Sequence, residues 1–124
     1  MSTKEIAQKL VEYCRKGDFE TPMKELYSQD AVSIEMPGGD WPEKCTGMDE
    51  IQQKGEKFYS MTEEIHGVEV TDPIIAENFF SLGMTMDITY KGAPRMKNAE
   101  LCVYEVKDGK IISEQFFYPL PPSA

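Results

Sequence analysis

Histidine, tryptophan and clustered cysteine are all scarce in this sequence. Its 124 residues contain one histidine (His66), one tryptophan (Trp41) and three cysteines (Cys14, Cys45 and Cys102). An odd number of cysteines without CxxC spacing indicates neither a disulfide frame nor a zinc site, so buried reduced thiols are expected. A lone histidine without clustered acids makes no metal site, and none is predicted. His66 follows the third predicted helix and reads as an exposed helix-end residue. Basic residues are also few: 13 Lys and Arg against 22 Asp and Glu leave a net charge of −9. Phosphate binding needs clustered Lys and Arg, and here they are scattered, so nucleic acid is not the expected partner. No apolar run approaches the roughly 20 residues of a membrane span, so no bilayer crossing is expected. The segment Met1-Ser-Thr-Lys-Glu-Ile-Ala-Gln8 lacks the apolar stretch of a secretory signal, which makes a cytoplasmic location the expectation. Repeats, low-complexity tracts and linkers are missing too, and only Leu120 to Ala124 reads as a tail.

What remains is an ordinary globular composition, 40% hydrophobic and 28% charged, in one domain over residues 1–124. That length supports a core without disulfides. Ser2 with Glu5 forms a capping box, followed by Ile6, Leu10, Tyr13 and Cys14 at amphipathic spacing, and the helix closes at Lys16-Gly17. Thr21-Pro22 reads as an N-cap and first helical proline for a short helix through Tyr27. Asp49 and Glu50 open a third helix with Ile51, Gly55, Phe58 and Tyr59 on one face. After His66 the period changes to two. Phe80, Leu82, Met84, Met86, Ile88 and Tyr90 share one face of a strand from Asn78 to Tyr90. Strands from Met96 to Val106 and Lys110 to Tyr118 flank the hairpin signal Asp108-Gly109, and Val68 to Ile75 is a further strand candidate. Helices followed by an antiparallel meander predict an α+β fold with helices covering one face of a curved sheet.

The stretch Asp30-Ala-Val-Ser-Ile-Glu-Met-Pro37 is a strand that carries Glu35 among apolar residues. Two placements are open. Glu35 either faces water on an edge strand, as most acidic residues do, or points inward. Inward, desolvation disfavours the charged form, which is how a glutamate becomes a usable base near neutral pH. The loop Met36 to Thr46 follows, centred on Pro37-Gly-Gly-Asp-Trp-Pro42.

Several short segments then carry a resemblance by their order and spacing. They are Gly17-Asp18-Phe19, Leu26-Tyr27-Ser28-Gln29-Asp30-Ala31-Val32, Gly47-Met-Asp-Glu-Ile51, Glu105-Val-Lys-Asp-Gly-Lys-Ile111 and Phe116-Phe117-Tyr118. Over about residues 4 to 118 the chain resembles the nuclear transport factor 2-like superfamily, in its SnoaL-like and ketosteroid-isomerase-like branch. The resemblance implies a cystatin-like α+β barrel: a cone-shaped, antiparallel or mixed sheet wrapped around a long N-terminal helix, with three helices and an apolar pocket. It implies no particular reaction, because the superfamily includes isomerases, cyclases, dehydratases and proteins without chemistry.

Laid on that template, Leu10 and Cys14 point inward from the first helix, Glu35 from the first strand and Phe58 from the third helix. Met84, Met86 and Ile88 join them from the long strand, then Cys102, Tyr104 and Val106 from the next. Ile112, Glu114, Phe116 and Tyr118 come from the last. Glu35 falls five positions after Asp30, where ketosteroid isomerases carry their aspartate base. Leu10 and Cys102 stand where those enzymes have a tyrosine and a protonated aspartic acid. Neither donates a strong hydrogen bond to an enolate, so steroid isomerisation is not expected. Tyr13, Tyr104 and Tyr118 are the possible replacements, or satisfied core tyrosines. Glu114 either shares a proton with Glu35 or makes an ordinary cross-strand ion pair. Trp41 is a lid over the pocket or a dimer contact, and Met84 and Met86 give a soft wall suited to an apolar ligand.

The leading expectation is a cofactor-free, metal-free enzyme acting by proton transfer on an apolar carbonyl compound, of isomerase, cyclase or dehydratase type. Glu35 is its base, assisted by Glu114 or Tyr118. The competing expectation is a non-catalytic binding protein for a hydrophobic ligand or a protein partner. A third makes the chain mainly a dimerisation module. In that reading Leu101, Val103, Ile111 and Phe117 on the outer sheet face form a homodimer contact, which is compatible with either of the others.

Overall fold

Ser2 and Glu5 close the first helix reciprocally: Glu5 N donates to Ser2 Oγ and Ser2 N to Glu5 Oε1, both at 3.1 Å. A computed structural model describes residues 1–120, and the predicted tail beyond Leu120 lies outside the described residues. Helix α1 runs Thr3–Arg15 and buries Ile6, Ala7, Leu10, Val11 and Cys14. Each large apolar side chain removed from water there contributes roughly 1.5–3 kcal/mol.

Helix α2, Thr21–Glu25, is held differently from expectation. Thr21 is its first residue rather than its cap. The Asp18 carboxylate accepts from Glu20 N, Thr21 N and Thr21 Oγ1, and so satisfies the free N–H groups from outside the helix. Strand β1 spans Tyr27–Ile34. The predicted loop from Met36 to Thr46 contains a short strand, β2 (Lys44–Thr46), paired antiparallel with β1. Helix α3 covers Met48–Met61 and leads directly into β3, Thr62–Val70. His66 therefore lies inside a strand, where its Nδ1 meets Glu64 and its Nε2 meets Thr89 Oγ1, each at 2.7 Å.

The predicted strand from Val68 to Ile75 is interrupted. Thr71 turns to bond Gly83, Pro73 has no N–H for a ladder, and β4 resumes at Ile74–Ala76. Strands β5 (Phe79–Tyr90), β6 (Met96–Lys107) and β7 (Lys110–Phe117) form the meander. Asp108 and Gly109 turn the last hairpin with φ of 51° and 74°, the left-handed pair a tight two-residue turn requires.

Three helices thus pack on a curved mixed sheet of seven strands that is not closed among the described residues. Its order is β2-β1-β7-β6-β5-β3, with β4 on β5, and only β1 and β7 run parallel. That parallel contact places the N-terminal strand beside the C-terminal one. The core joins α1 and Ile51 of α3 to Phe80, Leu82, Cys102, Tyr104 and Val106 on the covered face.

A bulge in β7 changes the predicted face of two residues. Glu105 pairs with Ser113 but Val106 with Ile111. Ile111 is consequently fully buried in the core, not on the outer face, and Ile112 is displaced from the inward position expected of it.

Candidate functional site

Between α1, α3 and the covered face of the sheet lies a cavity of about 620 Å³. Residues four apart on helices and two apart on strands bring its wall together. Leu10 and Cys14 enter from α1, Lys54 and Phe58 from α3, and Met84 and Met86 from β5. Glu100 and Tyr104 enter from β6, and Glu114, Phe116 and Tyr118 from β7 and the residue after it. Trp41 comes from the Gly/Pro loop; its ring lies 6.4 Å from that of Phe58, with Lys57 Nζ 5.3 Å over its face. The loop can lie close because Gly39 has no side chain: a Cβ there would stand 3.3 Å from Leu120 Cδ2.

Ile88 and Cys102 do not line this cavity. Ile88 is fully buried outside the main core cluster, toward the Met96 end of β5. Cys102 is fully buried in the core, where desolvation raises its thiol well above the ordinary range, and its Sγ contacts Glu100 Oε1 at 3.6 Å. Tyr13 is half-buried on α1, bonded to Glu25 at 2.6 Å on the surface, and does not line the cavity.

Six polar side chains in and behind the cavity wall form one continuous chain of hydrogen bonds. Tyr27 donates to Glu114 Oε1, and Ser33 Oγ donates to Glu114 Oε2 at 2.6 Å. Lys54 Nζ donates to Ser33 Oγ at 2.6 Å and to Glu35 Oε2 at 2.7 Å. Tyr118 donates to the other Glu35 oxygen at 2.6 Å. Glu35 therefore points inward, but among partners rather than in the purely apolar setting its neighbours in sequence suggest. Glu114 also points inward and is buried, held by hydroxyls rather than by a cross-strand ion pair. Desolvation raises its pKa above the usual carboxylate range, against the lowering pull of Ser33, Tyr27 and Lys54. Burial, and then the bond to Glu35, likewise raises Tyr118.

Glu100 differs from both. Burial, followed by the nearby Glu35 charge, pushes it up to about 7, and only the Cys102 thiol bonds it. Desolvation takes Cys14, on the opposite wall, to about 12, so that thiol is inert at neutral pH. Among the described residues, no group of three or more His, Cys, Asp or Glu is placed to hold a metal ion, and no helix is long and apolar enough to cross a membrane.

Tyr27, Ser33, Lys54 and Glu100 are not among the site residues expected from the sequence. Three of these carried a periodic signal. Ser33 is two residues before Glu35, Glu100 two before Cys102, and Lys54 one helical turn before Phe58. Tyr27 carried none, because its partner Glu114 is 87 positions away. On the outer sheet face, a shallow groove of about 510 Å³ is bordered by Gly83, Thr85, Leu101 and Phe117, of which Leu101 is 61% exposed.

The family described as the SnoaL-like domain matches residues 1–118. A solved protein from Mesorhizobium loti, provisionally named a SnoaL-like polyketide cyclase and, in the same name, a carbohydrate phosphatase, is 29% identical with a TM-score of 0.88, over 95% of this chain and all of that one (100%). A protein of ketosteroid-isomerase-like fold from Catenulispora acidiphila, solved with trimethylamine, is 20% identical with a TM-score of 0.74, over 94% of this chain and 86% of that one. TerC, solved with polyporic acid, is 12% identical with a TM-score of 0.78, over 94% and 91%. The last two likenesses concern the fold alone. No curated protein matches the chain.

Proposed function

The chain belongs to the SnoaL-like domain family, and we propose that its cavity is an active site where an apolar carbonyl compound undergoes proton transfer. One observation carries this reading: a carboxylate, an ammonium and a phenol meet in the wall of a cavity that also has a large apolar surface, with Glu35 2.7 Å from Lys54 and 2.6 Å from Tyr118. Isomerisation, aldol-type cyclisation and dehydration share a first step, removal of a proton beside a carbonyl. Glu35 is the base for that step, and Tyr118 orients its carboxylate. Glu114, anchored by Tyr27 and Ser33, backs the ion pair. Phe58, Phe116, Met84 and Met86 receive the apolar body of the substrate. The proton passes between substrate and Glu35, so the step as written needs no cofactor. The polyketide cyclase part of the Mesorhizobium loti protein's name supports the carbonyl class, its carbohydrate phosphatase part does not, and the trimethylamine and polyporic acid complexes support small molecules as occupants of this fold.

The test is deuterium exchange at the carbon beside the carbonyl, followed by NMR over aryl ketones, enones and 1,3-diketones. The protein is expected to accelerate exchange of at least one, and Glu35→Gln to slow it by about 100-fold or more. One observation favours the non-catalytic reading: both Glu35 oxygens are already engaged by Lys54 and Tyr118. Exchange that is absent throughout the panel decides for a binding protein.

We also propose a homodimer through the outer face, where Leu101 and Phe117 stay exposed beside half-buried Val103. The contact excludes Ile111, which the β7 bulge turns inward. A monomer in sedimentation at micromolar concentration contradicts it.

A further inference from the structure

The two positions where an oxyanion donor was sought, Leu10 and Cys102, hold none, and the cavity has a cation instead. Lys54 projects from α3 with its side chain 11% exposed, and its ammonium has three N–H groups. One goes to Ser33 Oγ and one to Glu35 Oε2. Among the described residues no acceptor takes the third, and the ammonium sits at the cavity wall, 5.3 Å from the centre of the Phe116 ring. Glu35 Oε2 lies 2.7 Å from that ammonium, so a group brought to the carboxylate is also brought close to Lys54.

We infer that Lys54 is the electrophile of this site, bonding the carbonyl oxygen of an uncharged substrate and remaining paired with the negative charge as it leaves Glu35. The inference rests on the proton-transfer reading above and names its missing electrophilic half. In the step, the α C–H bond breaks and its proton forms an O–H bond with Glu35. The C–H electron pair becomes the carbon–carbon double bond of the enolate, and the carbonyl π pair moves onto oxygen. One unit of negative charge thus moves from the carboxylate to the substrate. Lys54 lies beside both positions, so the ion pair is exchanged rather than broken. That interaction strengthens only as the enolate forms, which is where stabilisation accelerates a reaction.

The same geometry selects the substrate class. At rest Glu35 already neutralises Lys54, and Glu100 and Glu114 face the same cavity. A carboxylate ligand would add a negative charge beside three acidic side chains, with Lys54 the buried ammonium and Lys97 an exposed lysine of the same lining. A neutral ketone or 1,3-diketone adds none.

The test uses 4-nitrophenolate, an apolar ring bearing an oxyanion, titrated by its visible absorption. Glu35→Gln reproduces the uncharged state of the base after it has taken the proton and frees the Lys54 charge. This variant is expected to bind 4-nitrophenolate at least tenfold more tightly than the unaltered protein. Adding Lys54→Met is expected to abolish the gain, and Lys54→Arg to keep part of it. A Glu35→Gln protein with no gain overturns the inference, as does a Glu35→Gln/Lys54→Met protein that retains it. Should the methionine variant not fold, ¹³C-lysine NMR of the Glu35→Gln protein decides, with Lys54→Arg assigning the signal. A Lys54 signal unmoved at saturating phenolate is then the negative result. Phenolate binding involves no proton transfer. Absent deuterium exchange with a full phenolate gain therefore removes the enzyme reading and leaves Lys54 an oxyanion-binding group only, and exchange without the gain removes only the role of Lys54.

Discussion

Lys54 Nζ lies 2.7 Å from Glu35 Oε2, and the two side chains are only 11% and 9% exposed. The pair ties α3 to the end of β1 across the wall of the cavity. Removing one partner leaves an uncompensated charge in a poorly hydrated place, which typically costs 3–5 kcal/mol, whereas removing both is far milder. Lys54→Met is therefore expected to lower stability by about 3 kcal/mol or more, and Lys54→Met/Glu35→Gln to recover most of that loss. Urea denaturation midpoints measure both. A single variant within ~1 kcal/mol of the unaltered protein would show the pair to be well solvated.

Glu100 makes stability depend on pH in a defined window. Its carboxyl is raised from 4.5 to about 7, chiefly by burial. Below 4.5 both the folded and the unfolded chain hold the proton, and the contribution to stability is fully present. As pH rises toward 7 the unfolded chain loses the proton first, so that contribution is progressively lost. Glu100→Gln is expected to flatten the profile over this range and to be more stable above pH 7 by roughly 1–3 kcal/mol. Glu114, also raised by burial, has the same sign and leaves a residual slope in the variant. Thermal melts from pH 4 to 8 check the outcome, and an unchanged profile contradicts it.

Two tyrosine–glutamate bonds allow a controlled comparison. Tyr27 donates to Glu114, which is 3% exposed, while Tyr13 donates to Glu25 on the surface. Tyr27→Phe leaves a buried oxygen without its donor and is expected to cost about 1–3 kcal/mol. Tyr13→Phe is expected to stay within about 0.5 kcal/mol of the original. Equal effects in chemical denaturation would refute the burial argument.

Trp41 is the only tryptophan of the chain, so its fluorescence reports on the cavity wall it lines. It lies against Phe58 under Lys57. Benzoylacetone entering the cavity is expected to change the Trp41 emission. Trp41→Ala is expected to weaken that binding by roughly fivefold, the scale of one aromatic contact of about 1 kcal/mol. Binding of equal strength in Trp41→Ala would place the loop outside the entrance.

Much of this architecture was legible without coordinates because it depends on neighbours in sequence. The Ser2–Glu5 box, the Asp108-Gly109 turn and the period-two face from Phe80 to Ile88 each involve residues a few positions apart, where local geometry leaves little choice. The errors came from elements that break a period. The bulge between Ser113 and Ile111 exchanged the environments of Ile111 and Ile112, and the strand after α3 began six residues before the predicted Val68. Candidate site residues were legible to the same extent. Glu114, Phe116 and Tyr118 alternate on one face of the last strand and could be named from spacing. Lys54 and Glu100 lay on correctly assigned faces but are residue types more often solvated than buried.

The sequence by itself determined the α+β class, the three helices and the inward faces where the period is unbroken, because these follow from backbone periodicity and local hydrogen bonding. Only the tertiary structure decided which charges meet. Glu114 joins Tyr27 and Ser33 across 87 and 81 positions, and Tyr118 joins Glu35 across 83. Those contacts exist because β7 returns parallel to β1 and α3 folds back over both. The protonation of a buried acid depends on the solvent it loses and the partners it gains, and both are properties of the folded chain.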